Sequence, residues 1–120
     1  MNSDIDIIHT NEIGIVFKWK KTVKRDKNKV QLVFRDTGFF IQPNELLEFS
    51  KCVKKAIKSA AVCPNHGNNE SCRTILLETP VEKLTFAVNR TELYLLNELI
   101  LGSLFNMELY KMLKNLDLSF

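Results

Sequence analysis

The stretch from Arg90 to Leu116 constrains this chain more than any other. Asn89-Arg90-Thr91-Glu92 has the form of a capping box, with Asn89 accepting from the first turn and Glu92 reaching back. A Leu-rich run without proline follows it, and reads as a helix. At 1.5 Å per residue its span of about 27 residues comes to roughly 40 Å, longer than a domain of this size is wide. The chain has only 120 residues. Either the helix breaks or kinks at Gly102-Ser103 and folds back, or its far end packs on a second chain. Leu104, Phe105, Leu109, Met112, Leu113 and Leu116 follow the i, i+4, i+5, i+8 rhythm of an apolar stripe. Left in water, that stripe would be an apolar patch of a kind soluble monomers avoid. The expectation is a straight helix and a homodimer formed across a two-fold axis.

The remaining residues supply what that helix must cover. Ile13, Ile15, Phe17 and Trp19 recur at period two, with Val16, Lys18 and Lys20 between them, and predict a strand whose aromatic face is buried. Val30, Leu32 and Phe34 alternate with Gln31, Val33 and Arg35 in a second strand, joined to the first by the turn-like Arg25-Asp26-Lys27-Asn28. Asp36-Thr37-Gly38 punctuates, and Phe39-Phe40-Ile41 is a short third strand. Pro43 opens a helix carrying Leu46, Phe49, Val53, Ile57 and Ala60 at helical spacing, which stops before Pro64. Arg73 to Glu78 and Leu84 to Val88 are two further strands, separated by Thr79-Pro80. Hydrophobic residues make up 45% and charged residues 26%, with 4 Gly and 3 Pro, which excludes disordered and low-complexity classes. The fold class expected is α+β over a single domain, 1–120. It has an antiparallel sheet of four to five strands with two helices on one face.

Phe39-Phe40-Ile41-Gln42-Pro43-Asn44-Glu45-Leu46 lines up with Phe86-Ala87-Val88-Asn89-Arg90-Thr91-Glu92-Leu93 at an offset of 47. Each segment is a strand end, a polar cap, then Glu and Leu in the first helical turn. The chain thus reads as two ββα units behind an added strand. A duplication and shared local chemistry both account for this, since strict identities are few.

The net charge of +3 is concentrated in one place. Lys18, Lys20, Lys21, Lys24, Arg25, Lys27 and Lys29 face only Asp26 across the expected first hairpin. Around Phe17 and Trp19 they could neutralise phosphates beside a stacking ring. They would equally keep an exposed hairpin edge from pairing with other chains. The opening Met1-Asn2-Ser3-Asp4-Ile5-Asp6 has no basic start or apolar h-region, the longest apolar stretch is too short to span a bilayer, and the three cysteines are odd in number. These features lead to the expectation of a cytoplasmic protein with reduced thiols and no membrane partner.

Cys63, His66 and Cys72 form the only cluster of candidate metal ligands, with Cys52 or His9 as a conceivable fourth. Thiolate and imidazole suit zinc, but a closed tetrahedral site needs a complete set, and the spacing matches no known zinc pattern. The expectation is no metal and no cofactor. Cys63 with His66 could form a nucleophile and base, yet the loop supplies no orienting group and no rigid frame. Glu45 and Glu92 are explained by helix starts. No Gly-rich phosphate loop, Gly-x-Ser-x-Gly or His-Glu-x-x-His appears.

Asn11-Glu12-Ile13-Gly14-Ile15-Val16, Gly38-Phe39-Phe40-Ile41 before Glu45-Leu46-Leu47-Glu48-Phe49, and Arg73-Thr74-Ile75-Leu76-Leu77-Glu78-Thr79-Pro80 followed by Leu84-Thr85-Phe86-Ala87-Val88-Asn89-Arg90-Thr91-Glu92-Leu93 together resemble a family of short bacterial proteins defined only as a domain of unknown function. The resemblance covers about Asn11 to Leu113 and implies no activity. It implies a Cys-x-x-Cys or similar pair after the first strand. This chain has Trp19-Lys20-Lys21-Thr22 there and departs from that pattern. The function expected is non-enzymatic and exercised through protein–protein contact as a homo-oligomer. The rival readings are a nucleic-acid-binding accessory protein using the basic hairpin, and a zinc- or thiol-dependent protein using the Cys63–Cys72 loop.

Overall fold

Alternation and helical spacing resolve into six strands and two helices among the described residues of the computed structural model, which are 4–20, 29–61 and 72–115. In chain order these are β1 (Ile5–Asn11), β2 (Gly14–Trp19), β3 (Val30–Phe34), β4 (Thr37–Ile41), α1 (Pro43–Ala61), β5 (Ile75–Glu78), β6 (Thr85–Val88) and α2 (Arg90–Asn115). The fold is α+β. Strands β1-β2-β3-β4 form one antiparallel sheet in sequence order, and β5 pairs with β6 in a separate antiparallel hairpin. Helix α2 lies against β1 and β2, while α1 packs on α2 and on β5.

Strand β1 is absent from the pattern read above. Its apolar residues do not alternate cleanly, because a bulge at Ile8 shifts the register between Ile7 and His9. Ile13, expected in a strand, lies in the β1–β2 turn, where the Asn11 side chain accepts a hydrogen bond from its backbone N–H at 3.0 Å. The β3–β4 turn falls at Arg35-Asp36 rather than Asp36-Thr37-Gly38. Arg35 adopts a left-handed φ of 57° there, and β4 begins at Thr37.

The inward face of β2 is the reverse of that expected. Cross-strand partners share a face, and Val16 pairs with Leu32, both fully buried in the core. Ile15, Phe17 and Trp19 therefore project from the other side of the sheet. Phe17 is buried there, outside the main core cluster, in an edge-to-face contact with Trp19 at 5.5 Å between ring centres. Lys18 shares the Val16 face and is directed toward α2. Period two alone identifies two faces without saying which one a helix will cover.

The core joins the two sheets through Phe86, whose ring meets Phe34 at 5.2 Å and Phe39 at 5.4 Å in T-shaped contacts. Leu46, Phe49, Val53, Ala56 and Ala60 of α1 are buried, as are Leu93, Leu96, Leu99 and Ile100 of α2. Both helix starts are capped from within. The Gln42 N–H donates to the Glu45 carboxylate at 2.7 Å. Asn89 and Glu92 exchange reciprocal bonds, Glu92 N–H to Asn89 Oδ1 at 2.7 Å and Asn89 N–H to Glu92 Oε1 at 3.0 Å.

Helix α2 runs unbroken for 26 residues through Gly102-Ser103, in a molecule whose long axis is 51 Å and whose other axes are 29 and 27 Å. Gly102 serves close approach rather than a kink. A Cβ at that position would lie 2.5 Å from Nε2 of His9, whose ring is laid against the helix by β1. The Ser103 hydroxyl donates back to the Leu99 carbonyl at 2.7 Å and so satisfies itself inside the helix.

Candidate functional site

Polar clamps fasten β1 along α2 and decide where the two part company. His9 Nε2 and Glu98 are 2.8 Å apart. Asn11 Nδ2 donates to the Leu95 carbonyl at 2.8 Å and to Glu98 Oε1 at 2.6 Å. Asn106 Nδ2 donates to the Ile8 carbonyl at 2.8 Å. Hydrogen bonds from His9 and then Asn11 hold the Glu98 carboxyl below the usual carboxylate range. Beyond Asn106 the helix runs on beside the start of β1 and the end of β2.

The chemistry of α2 inverts at that point. One residue advances 100° around a helix, so Leu96, Leu99, Ile100, Ser103, Met107, Tyr110, Lys111 and Lys114 share one side. As far as Ser103 that side is buried in the core. Further on it becomes polar and basic, and forms one wall of a groove of about 610 Å³. The opposing wall comes from the start of β1 and the end of β2, with Asp6, Lys18 and Lys20. Four lysines thus line the groove with a single carboxylate, Asp6, which is the cross-strand partner of Lys18. Tyr110 is 64% exposed, and Lys114 Nζ stands 5.9 Å from its ring centre.

The opposite side of the same helix carries exposed apolar residues, with the carboxylates of Glu98 and Glu108 beside them. Leu101, Phe105 and Met112 lie in line, with Tyr94 ahead of them and Leu109 at the flank, and all five are exposed. Phe105 is 66% exposed and Met112 53%. Of the stripe expected from sequence, Phe105, Leu109 and Met112 are on this surface. Leu104 is half-buried against the core and Leu113 is half-buried. Leu116 lies outside the described residues.

The basic set is divided. Lys18 and Lys20 reach the groove, and Lys29 sits away from it with its Nζ 5.4 Å from the Phe40 ring centre. Lys21, Lys24, Arg25 and Lys27 lie outside the described residues. Lys111 and Lys114 were not singled out by sequence reasoning. The signal available was the switch from Leu and Ile to Tyr and Lys at the core-facing positions of α2, which reads as a helix end until the sheet's extent is known.

Of the candidate metal ligands, Cys63 and His66 lie outside the described residues and Cys72 is exposed. No group of three or more metal-ligating side chains occurs among the described residues. Cys52 is half-buried on α1. Burial, then the charges of Glu78 and Glu48, push its thiol up, so it is held protonated and weakly nucleophilic.

The densest charge cluster surrounds Glu92, and it is structural. Arg73 makes a bidentate pair with the Glu92 carboxylate at 2.7–3.0 Å, and Arg35 Nη1 stands 3.5 Å away. Burial raises the Glu92 carboxyl. The Arg73 hydrogen bonds, the Asn89 N–H and the Arg35 charge outweigh that burial and leave it below its ordinary value. A carboxylate so fully paired holds its charge and is no proton donor at neutral pH. Arg35 also donates to the Ala87 carbonyl at 3.2 Å and lies over the Phe34 ring at 4.7 Å, tying the large sheet to β6 and α2.

No protein-family model, no curated protein and no solved structure matches the chain. The resemblance noted from sequence rests on the quoted residues alone. No helix among the described residues is long and apolar enough to cross a membrane.

Proposed function

We propose that this chain is a non-enzymatic cytoplasmic module that acts through protein–protein contact, and that it associates with a second copy through the outer side of α2. The observation that carries this reading is the inverted polarity of the helix. Leu101, Phe105 and Met112 face water on a straight helix while lysines occupy the inner side. A helix selected only to cover its own sheet would have the reverse arrangement. A large apolar side chain in water gains roughly 1.5–3 kcal/mol when fully buried. Two copies of such a stripe meeting across a two-fold axis bury it twice over. The fully paired Glu92 and the protonated Cys52 thiol favour the non-enzymatic side of the reading.

Size-exclusion chromatography with light scattering tests this at micromolar concentration. The expected mass is twice the chain's 13.9 kDa. Phe105→Lys with Met112→Lys should give a folded monomer, because both side chains are outside the core. A wild-type monomer would overturn the proposal, as would a dimer that the double substitution leaves intact.

A further inference from the structure

We propose that the groove between the β1–β2 end of the sheet and the last turns of α2 binds single-stranded nucleic acid. This goes beyond the self-association reading and does not depend on it, since the groove and the apolar stripe occupy opposite sides of α2.

Two observations converge on this ligand. First, the groove is positive on both walls. Lys18 comes from β2, Lys20 from the residue that follows it, and Lys111 and Lys114 from α2, with Asp6, the cross-strand partner of Lys18, as the one carboxylate among the lining residues. Cations spaced along both sides of a trough suit a chain of phosphates better than a single small anion, which one wall could hold. Second, Tyr110 presents an exposed ring in the same groove, beside Lys114. Stacking on such a ring is tolerant of sequence because every base has a π face.

The groove also explains why the core-facing side of α2 turns basic where it does. At Met107 the helix still leans on the core, and by Lys111 it has passed the clamp that Asn106 makes to Ile8. Lysines at a helix C-terminus also suit its negative end. That preference fixes no side of the helix, whereas Lys111 and Lys114 both stand on the side toward β2.

Fluorescence anisotropy of a labelled oligothymidylate of about twelve nucleotides, a length within single-strand site sizes, tests the proposal on the full chain. Each phosphate neutralised on a single strand contributes about −0.7 to the slope of log affinity against log salt. Four groove lysines therefore give a slope of about −2.8 or steeper, a loss of roughly 50-fold between about 50 and 200 mM salt. Lys111→Ser with Lys114→Ser should flatten the slope by about 1.4. Tyr110→Ala should weaken binding roughly tenfold, and Tyr110→Phe should restore it, because stacking needs the ring and not the hydroxyl. All these residues are exposed, so circular dichroism should show an unchanged fold. An absence of binding at low salt overturns the proposal. So does binding that the α2 substitutions leave unaltered, which would place the contact on the basic segment after Lys20 alone. An oligoglutamate of equal charge that competes equally well would also overturn it, in favour of an acidic protein partner.

Discussion

Replacing Gly102 with Ala isolates the contact that sets β1 against α2. In an exposed helix interior the change stabilises by about 1 kcal/mol, because Ala loses less backbone entropy than Gly. Here the new methyl would stand 2.5 Å from His9 Nε2, 2.6 Å from Cδ2 and 3.0 Å from Cε1. The ring has to swing away, and its 2.8 Å bond to Glu98 goes with it. That bond is partly exposed, and its loss costs about 0.5–1 kcal/mol. Crowding of the displaced ring adds about 1 kcal/mol or more. Gly102→Ala should therefore destabilise the wild-type chain by about 1 kcal/mol. With His9 already changed to Ser, the same substitution meets open space and should stabilise by about 1 kcal/mol. The two backgrounds differ by a coupling energy of about 2 kcal/mol, well above the additivity error of about 0.5 kcal/mol. Urea denaturation of the four proteins, followed by circular dichroism, measures it. Equal effects of Gly102→Ala in both backgrounds would refute the docking of His9 on the helix.

Two further substitutions test the interior. Glu92→Gln leaves Arg73 and Arg35 facing a neutral group and should cost about 2 kcal/mol, reduced from the fully buried figure because Arg73 is half in water. Since the folded Glu92 carboxyl lies below its unfolded value, its contribution is complete above the unfolded pKa of about 4.3. It is lost as pH falls through the lower folded value. Acid titration of the Gln variant should show a shallower loss of stability in that window, and an unchanged acid limb would contradict the pairing. For β2, Val16→Asp should prevent folding, because it places a charge in the core at 0% exposure, while Ile15→Asp on the half-buried opposite face should leave a folded protein. Thermal melts giving the reverse order would refute the assignment of faces.

Much of this architecture is legible in local chemistry. Alternation in β3, the Pro43 start of α1, the reciprocal bonds of Asn89 and Glu92, and the buried positions Leu46, Phe49 and Val53 each follow from interactions spanning a few residues. A sequence displays such interactions directly. The sense of β2 was beyond that reach, because Val16 and Phe17 are equally apolar and only the position of α2 selects between them. Strand β1 was hidden for a related reason, as a bulge interrupts the period that would have revealed it.

The length of α2 and its Leu-rich stripe are properties of the sequence alone, and so is the crowding of lysine between Lys18 and Lys29. The sequence could not tell whether Gly102 bends the helix or receives His9, because the partner that decides it is remote along the chain. Nor could it join Lys18 and Lys20 to Lys111 and Lys114. They are about ninety positions apart, and they become neighbours because the β1 clamps at Glu98 and Asn106 hold the sheet beside the helix. A sequence states what each side chain can do. Where the sheet stops, and hence which side of α2 meets core, groove or water, is a long-range packing outcome decided by the tertiary structure.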